Sequence, residues 1–378
     1  MRRGRASLVF EHPPVIEAAA SVAGKKEGEG PLRGRFDLVA EDDRMGKKTW
    51  EEAESAMQEA ACRLALKKGG LERGQIQYLF AGDLLGQLIA TSFGVADLEI
   101  PLFGLYGACS TIGEALCLGA MTVAAGYGER VLTVSSSHFA TAEKQFRFPL
   151  GYGNQRPWSS TWTVTGSGAF VLASEEAAEK KRGPAGEKRD PVGERKGFQE
   201  FGQRGKPGGR AVISAVTVGK IADMGVKDSM NMGACMAPAA CDTICRNLED
   251  FGREPGDYDR IITGDLGRVG SQALLDFMRA GGRDLSAVHM DCGLEIYDCA
   301  AQDTHAGGSG CGCSAVTLAA SILGKVESGE WRRVLFVPTG ALLSTVSFNE
   351  GRTIPGIAHG VVIEHRGPGG KEGMRWTM

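Results

Sequence analysis

Segments with the hydrophobic spacing of a strand alternate along the chain with segments that have the spacing of a helix. This pattern predicts strands and helices in turn. Short apolar runs typical of strands occur at 15–22, 76–81, 131–134, 169–172 and 211–218. Helical spacing of apolar residues predicts a helix from about Thr49 to Lys68, and Gly69 with Gly70 ends it. Strands that alternate with helices are typical of an α/β protein with mainly parallel strand pairing.

A second predicted helix, over residues 108–125, is apolar on every side. Surface helices carry one apolar stripe, so a helix of this kind must be enclosed by other elements. The segment 101–106 before it is typical of a strand. Cys109 is therefore predicted to lie at a turn between a strand and a buried helix.

Three segments of the first half have counterparts in the second half, in the same order. The pairs are 78–86 with 260–267, 107–111 with 310–314, and 131–134 with 334–337. We interpret them as an internal duplication, with one half over 1–173 and the other over 211–378. The stretch between them, 174–210, is rich in charged residues, Gly and Pro, and is predicted to be a linker or insertion.

Composition narrows the class of protein. Glycine supplies 55 of 378 residues, but 42% are hydrophobic and 24% charged, which excludes a disordered or collagen-like chain. A formal net charge of −3 provides no electrostatic footprint for nucleic acid. The ten cysteines lie largely in apolar runs, so we expect reduced, buried thiols.

The apolar runs are too short for a targeting or membrane segment. Near the start, only Leu8–Phe10 precedes charged residues and prolines, which is too short for a signal peptide. The longest apolar stretch, 112–126, includes Glu114 and is shorter than the ~20 residues of a membrane-spanning helix. We therefore expect neither a signal peptide nor a transmembrane span.

Cys109 is the first candidate for chemistry, because it lies in the predicted turn before the buried helix. Amide groups at a helix N-terminus lower the pKa of a thiol and can bind an anion. The alternative is a small buried cysteine that only packs against its neighbours. The pattern leaves both interpretations open.

Other candidates lie at equivalent places in the two halves. His305, in a glycine-rich loop before the matching turn, can serve as a general base or bind an anion. Asp83 and Asp265 end equivalent strands, where α/β proteins gather ligand groups, and Ser136 ends another strand. The structural alternatives are a histidine held by neighbours, aspartates that cap helices, and ordinary loop hydroxyls.

No resident metal or cofactor is expected. Cys235, Cys241 and Cys245 lie near several methionines, but spacings of six and four lack the pairing of zinc sites. A Walker A sequence is absent, and no GxGxxG opens a helix, so nucleotide binding is not favoured.

Three long segments resemble a known family. Residues 104–116, 156–168 and 302–314 are similar to the thiolase and ketoacyl-synthase III superfamily, and within it to the stage V sporulation protein AD family of endospore-forming bacteria. The resemblance spans about 13–365, apart from the linker. It implies a duplicated thiolase-like fold, layered αβαβα, with two buried central helices.

This chain has only some of the residues that carry the superfamily's chemistry. The resemblance places Cys109 at the position of the acyl-accepting nucleophile, and His305 near that of a thiolase histidine. Where a synthase has its histidine, this chain has Gly264 and Asp265, and a second, C-terminal thiolase cysteine is absent. Carbon–carbon bond formation is therefore not favoured.

The resemblance instead implies that the protein binds dipicolinic acid and supports its uptake into the developing spore. Cys109, His305, Asp83 and Ser136 are then the expected ligand-binding residues, with calcium left open as a companion of the ligand. The expected location is peripheral to the inner spore membrane, with membrane proteins of the same operon as partners and a homodimer left open. The alternatives are an acyltransferase with Cys109 as nucleophile and a purely structural subunit.

Overall fold

A 14-stranded mixed sheet with helices on its faces dominates the computed structural model, which describes residues 1–151, 155–180, 197–200 and 208–367. The α/β prediction is confirmed. The expectation of mainly parallel pairing is wrong, because strands also join antiparallel in each half.

The first half of the sheet contains five strands in the order β3-β2-β4-β5-β1. Strand β2 pairs parallel with β3 and β4, whereas β5 runs antiparallel to β4 and β1. The elements of this half are β1 (Val15–Ala23), α1 (Trp50–Gly69), β2 (Tyr78–Gly82), β3 (Leu102–Gly104), α2 (Thr111–Ala124), β4 (Arg130–Ser137) and β5 (Gly166–Ala173).

The second half repeats this arrangement in the order β8-β7-β9-β10-β6, with the same parallel and antiparallel pairs. A single residue pair, Val15 with Val212, connects β1 to β6 and thus joins the halves. The elements of this half are β6 (Arg210–Thr217), α3 (Met232–Phe251), β7 (Arg260–Thr263), α4 (Gly267–Ala280), β8 (His289–Asp291), α5 (Cys311–Thr317), β9 (Arg333–Val337) and β10 (Gly360–Arg366).

Two helices lie between the half-sheets, as the all-apolar pattern predicts. Helix α2 packs against β4 of the first half and β10 of the second, and α5 lies beside it. Every residue of α5 is buried. With α1 outside the first half-sheet and α3 outside the second, the order of layers is αβαβα.

Local signals in the sequence explain where α1 begins and ends. Thr49 and Glu52 form a reciprocal capping box at its start, and Gly70 adopts a left-handed conformation at its end (φ 63°). The helix agrees with its predicted bounds to within a residue.

The described parts of 174–210 contain short regular elements. A helix, Glu175–Glu179, begins there, and Phe198–Glu200 pairs antiparallel with Leu38–Ala40. Residues 181–196 and 201–207 of the predicted linker lie outside the described residues. The boundaries assigned to the two halves stay a prediction.

The remaining elements are short. Four strands complete the 14-stranded sheet beside its main order: Arg2–Arg3, Ser7–Val9, Leu38–Ala40 and Phe198–Glu200. The other strands are Trp162–Thr163, Gly308–Ser309, Thr339–Ala341 and Gly356–Ala358. The helical segments are Lys25–Gly28, Arg73–Gln75, Gly86–Leu88, Ile89–Gly94, Ala96–Leu98, Ala108–Ser110, Phe139–Ala142, Glu143–Arg147, Phe148–Leu150, Pro255–Asp257, Cys292–Glu295, Leu318–Ile322, Leu323–Glu327 and Thr345–Asn349. No helix among the described residues is long and apolar enough to cross a membrane.

Candidate functional site

Cys109 lies in the turn between β3 and α2, as the sequence predicts. The turn is a short 3-10 segment, Ala108–Ser110, that leads directly into α2. Ala108 has a φ of 51°, a left-handed conformation that costs a non-glycine residue energy. The fold thus holds Cys109 in a strained backbone just before the central helix.

The strand Thr339–Ala341 presses against this turn through Gly340. A Cβ atom at Gly340 would lie 2.7 Å from the carbonyl oxygen of Gly107 and 3.3 Å from the amide nitrogen of Cys109. Only glycine allows so close an approach of two backbones. The strand therefore fixes the position of the cysteine.

Asp265, which follows β7, is the immediate polar neighbour of Cys109. Its carboxyl accepts hydrogen bonds from the Thr339 hydroxyl (2.7 Å), the Gly310 amide (2.9 Å) and the Cys109 thiol. Only 1% of Asp265 is exposed. Asp265 therefore does not cap the helix that follows it; the Asp291 carboxyl accepts from the first amides of that helix instead (Gly267 nitrogen, 3.0 Å).

The environment of Cys109 disfavours the thiolate. Burial raises the pKa of its thiol well above the ordinary value, and the negative charge of Asp265 raises it further. Of the two interpretations that the sequence leaves open, this environment favours the packed cysteine over one activated by the helix N-terminus. At neutral pH the thiol stays protonated and donates a hydrogen bond to the carboxyl.

Two buried carboxyls in this region hold protons more tightly than usual. Burial raises the pKa of Asp265 to about 7, and the nearby Asp291 adds to the effect. Burial likewise raises the pKa of Asp291 to about 6. Asp265 therefore keeps its proton to a higher pH than an ordinary carboxyl does.

A cavity of about 390 Å³ opens beside Cys109. Its size lies within the range of small-molecule pockets, about 300–1,000 Å³. The walls combine apolar side chains with hydroxyl groups. The larger apolar lining residues are Leu84, Tyr106, Phe146, Leu150, Met230, Met232, Leu342 and Leu343, and the hydroxyl-bearing ones are Ser160, Thr161, Thr163, Ser229, Ser309, Ser344 and Thr345.

One charged pair faces this cavity. Among the described residues that line it, Arg147 is the only cation and Glu143 the only carboxylate. Their side chains form an ion pair of 2.9 Å across one turn of the segment Glu143–Arg147. Burial raises the pKa of Glu143. A guanidinium in a largely apolar cavity is suited to a carboxylate ligand.

His305 does not join Cys109 in the cavity. Its ring nitrogens contact the Pro157 carbonyl oxygen (2.9 Å) and the Asp303 carboxylate (3.1 Å), and the ring packs against Trp158. The loop also turns sharply there, since His305 has a φ of 51°. His305 is thus held by its neighbours and lies outside the cavity lining.

Asp83 is buried and occupied by local hydrogen bonds. Its carboxylate accepts from the Leu85 amide (2.7 Å) and from the Thr91 amide (2.8 Å) and hydroxyl (2.6 Å). This is the capping role that the sequence left as an alternative. Asp83 does not line the cavity.

Ser136 belongs to a buried polar cluster beneath β4. Its hydroxyl donates to the Glu54 carboxyl (3.1 Å) and accepts from the Gln58 amide (3.1 Å). Burial raises the pKa of Glu54 to about 8. Of the four predicted ligand residues, the structure therefore places only Cys109 in the lining.

Several residues that line the cavity were not predicted from the sequence. They come from three separate segments, 142–151, 229–232 and 341–345, which the fold brings together around Cys109. The signals available in the sequence are the apolar side chains of Met230 and Met232 and the apolar run 341–343 after β9. Among the described residues, no group of three or more His, Cys, Asp or Glu side chains is arranged to hold a metal ion.

Comparison with known proteins supports the resemblance seen in the sequence. Residues 4–364 match the family described as Stage V sporulation protein AD. The Stage V sporulation protein AD of Bacillus subtilis is 41% identical over 364 residues, which cover 96% of this chain and 98% of that protein.

Solved structures with the same fold are more distant in sequence. Cerulenin-bound OleA of Xanthomonas campestris aligns with a TM-score of 0.56 at 13% identity, over 94% of this chain and 100% of that one. The 3-oxoacyl-[acyl-carrier-protein] synthase III of Aquifex aeolicus aligns with a TM-score of 0.51 at 11% identity, over 93% and 99%. At such identities the likeness shows the thiolase-like fold alone.

Proposed function

Because this chain belongs to the stage V sporulation protein AD family, we propose that it binds dipicolinic acid without catalysis and supports its uptake into the developing spore. The binding site is the cavity beside Cys109. The observation that carries this proposal is a ligand-sized cavity with a guanidinium in its wall, next to a cysteine that is not activated.

The cavity suits a planar aromatic dicarboxylate. Apolar side chains such as Phe146 and Met230 provide surfaces for an aromatic ring, and Arg147 provides a charge-assisted partner for one carboxylate. Hydroxyl groups such as those of Ser229 and Thr345 add donors for the other. Glu143 then has to release Arg147 or share it with the ligand.

The chemistry around Cys109 supports binding rather than acyl transfer. A nucleophilic cysteine needs a lowered pKa or a neighbouring base that takes its proton. Here the neighbour is the carboxyl of Asp265, whose negative charge opposes the thiolate. The thiol is left as a neutral hydrogen-bond donor in the cavity wall.

A calorimetric titration of the full chain with dipicolinate, with and without calcium, tests the proposal. Saturable one-site binding is expected, and Cys109→Ala should change its affinity because Cys109 lines the cavity. Absence of binding in both conditions would overturn the proposal. A dependence on calcium would show that the metal accompanies the ligand.

An acyltransferase is the second candidate, favoured by the position of Cys109 in a strained turn before a central helix. Incubation with acyl-coenzyme A followed by intact-mass measurement separates the two. A covalent acyl adduct that disappears in Cys109→Ala would favour the enzyme. Dipicolinate binding without an adduct favours the binding protein, and a purely structural subunit predicts neither.

We also propose a peripheral position at the inner spore membrane, beside membrane proteins of the same operon. Exposed apolar side chains near the cavity support a docking role for that face. Phe148 and Val346, each 66% exposed, belong to segments that pack together and adjoin lining residues. Co-purification of the full chain with membranes, lost on washing at high salt or in Phe148→Ser, would support it.

A homodimer is a further proposal, which rests on β3. This strand ends the sheet order, and Leu102 and Phe103 are 43% and 52% exposed. An exposed apolar edge strand is a template for pairing with another strand, here the same strand of a second copy. Light scattering should show a dimer that Leu102→Glu converts to monomer; a wild-type monomer would overturn this.

A further inference from the structure

Three sulfur atoms converge on the outer face of the second half, away from Cys109. Cys241 and Cys245 lie one turn apart on α3, and Met278 lies on the neighbouring helix α4. Each thiol sulfur is 3.6 Å from the Met278 sulfur. Both thiols donate to the same thioether, so the three sulfurs form a triangle.

Close helix packing builds this triangle. Helices α3 and α4 run in the same direction, since Gly233 contacts Gly270 near their starts and Cys241 contacts Met278 further along. A Cβ atom at Gly233 would lie 2.4 Å from the Leu266 carbonyl oxygen and 2.7 Å from the Gly270 nitrogen. The glycine pair thus holds the helices close enough for their sulfurs to meet.

We propose that Cys241, Cys245 and Met278 form a trigonal all-sulfur site for a soft monovalent metal ion, Cu(I). Thiolate and thioether donors select this ion, whereas zinc favours four ligands that include thiolates or imidazoles. The spacing of the cysteines alone disfavours metal, because it does not reveal the third sulfur on α4.

Two thiols and one thioether suit a single positive ion. Binding of Cu(I) displaces the proton of each thiol to solvent and leaves two thiolates and a neutral thioether around the ion.

The cluster combines one buried donor with two donors that are partly exposed to solvent. Met278 is fully buried among apolar neighbours, including Leu274 and Ile244, whereas Cys241 and Cys245 are partly exposed. An ion can therefore reach the thiols from solvent and meet a preset third donor.

The test is anaerobic competition for Cu(I) between the full chain and bicinchoninate, with X-ray absorption of the bound metal. Wild type should bind one Cu(I) at this site with three sulfur neighbours. Cys245→Ser should weaken that site by at least about tenfold, since even outer-shell changes cost roughly 10–100-fold. Cys299→Ser, a partly exposed cysteine elsewhere, should match wild type.

Met278→Leu separates metal binding from folding. The swap conserves volume, so the protein should fold, while the number of sulfur neighbours falls from three to two. The proposal is overturned if Cys245→Ser binds Cu(I) as wild type does. It is also overturned if the sulfur count in Met278→Leu is unchanged.

Discussion

The thiol of Cys109 donates its hydrogen bond to the buried carboxyl of Asp265. A synthase of this fold is expected to have a histidine where this chain has Asp265. An imidazole can take a proton from the thiol and stabilise the thiolate that results, whereas a carboxylate repels it. With a carboxyl in that place, we expect the thiol to act as a wall residue of the cavity rather than as a nucleophile.

Asp265→Asn should make Cys109 more reactive. The substitution removes the negative charge that raises the thiol pKa and keeps one oxygen, which can accept from the Gly310 amide, while the new amide group can donate to the Thr339 hydroxyl oxygen. Each unit by which the pKa falls increases the thiolate fraction about tenfold. Alkylation of Cys109 by iodoacetamide at pH 8, followed by peptide mass spectrometry, should be about tenfold faster than in wild type. Asp83→Asn, which alters the equivalent carboxyl of the first half, is the control; equal rates in all three proteins would contradict the assignment.

Arg147→Gln should weaken dipicolinate binding. It removes the only cation among the described cavity-lining residues. Hydrogen bonds to charged groups contribute about 1.5–3 kcal/mol, and about 1.4 kcal/mol is tenfold, so the Kd should rise roughly 10- to 100-fold. Lys144→Gln removes a positive charge from the same segment but not from the lining, and calorimetry should show it close to wild type. Equal losses in both variants would mean general electrostatic attraction rather than a specific contact.

His305→Ala should leave dipicolinate affinity within about twofold of wild type, because the ring lies outside the cavity lining and distant sites act nearly independently. The ring contacts Pro157 and Asp303 rather than the cavity. The same titration checks this, with Cys109→Ala as the comparison inside the cavity. A large loss of dipicolinate affinity in His305→Ala would instead support the ligand pocket expected from the sequence, which includes His305.

Stability should fall as the pH rises from 5 to 8, in part through Glu54. Burial raises the pKa of Glu54 from 4.5 to about 8, so the folded protein binds this proton more tightly than the unfolded chain does. The free energy of unfolding then decreases over that window, by at most about 1.4 kcal/mol per pH unit for one group, and levels off above it. Glu54→Gln, which cannot ionise, should lose less stability between pH 5 and 8 in urea titrations.

Glu51→Gln is the matched control for this pH effect. Glu51 lies on the same helix, but its hydrogen bond with Lys144 lowers its pKa despite partial burial. Glu51 therefore gains or loses its proton below pH 5. The Glu51→Gln variant should keep the wild-type dependence of the unfolding free energy on pH between 5 and 8. Parallel curves for wild type and Glu54→Gln would show that Glu54 is not the group responsible.

Gly340→Ala should destabilise the protein by about 1–3 kcal/mol, the usual cost of overpacking. The new methyl group would meet the Gly107 carbonyl oxygen at 2.7 Å, which backbone cannot easily avoid. Gly74→Ala is the control, because a Cβ atom there meets nothing within 4 Å. The shift in the urea midpoint measures both; equal midpoints would mean that the Cys109 turn can move freely.

Much of the fold could be predicted because it depends on local patterns. The apolar runs, the cap at Thr49 and the glycines at 69 and 70 are read directly from neighbouring residues. The repeated segments predicted the shared strand order of the two halves. The antiparallel direction of strands β5 and β10 was not predicted, because pairing direction depends on the path of the chain between strands.

The site was predicted only where one segment defines it. Cys109 could be placed because strand, turn and helix follow one another in sequence. Arg147 could not, because its segment reaches the cavity only through tertiary packing. His305 was misplaced because the contacts with Pro157 and Asp303 that hold its ring outside the cavity are invisible in a pattern of residues.

Because the two halves share one strand order, residues at corresponding positions of the two halves can be compared directly. Asp83 and Asp265 follow corresponding strands, β2 and β7, and both are buried. One is fully engaged by the backbone and hydroxyl of its own connection, whereas the other turns across to a thiol from the opposite half. The duplicated halves thus use the same aspartate differently: the first-half residue holds its own connection in place, whereas its second-half counterpart also keeps the Cys109 thiol protonated.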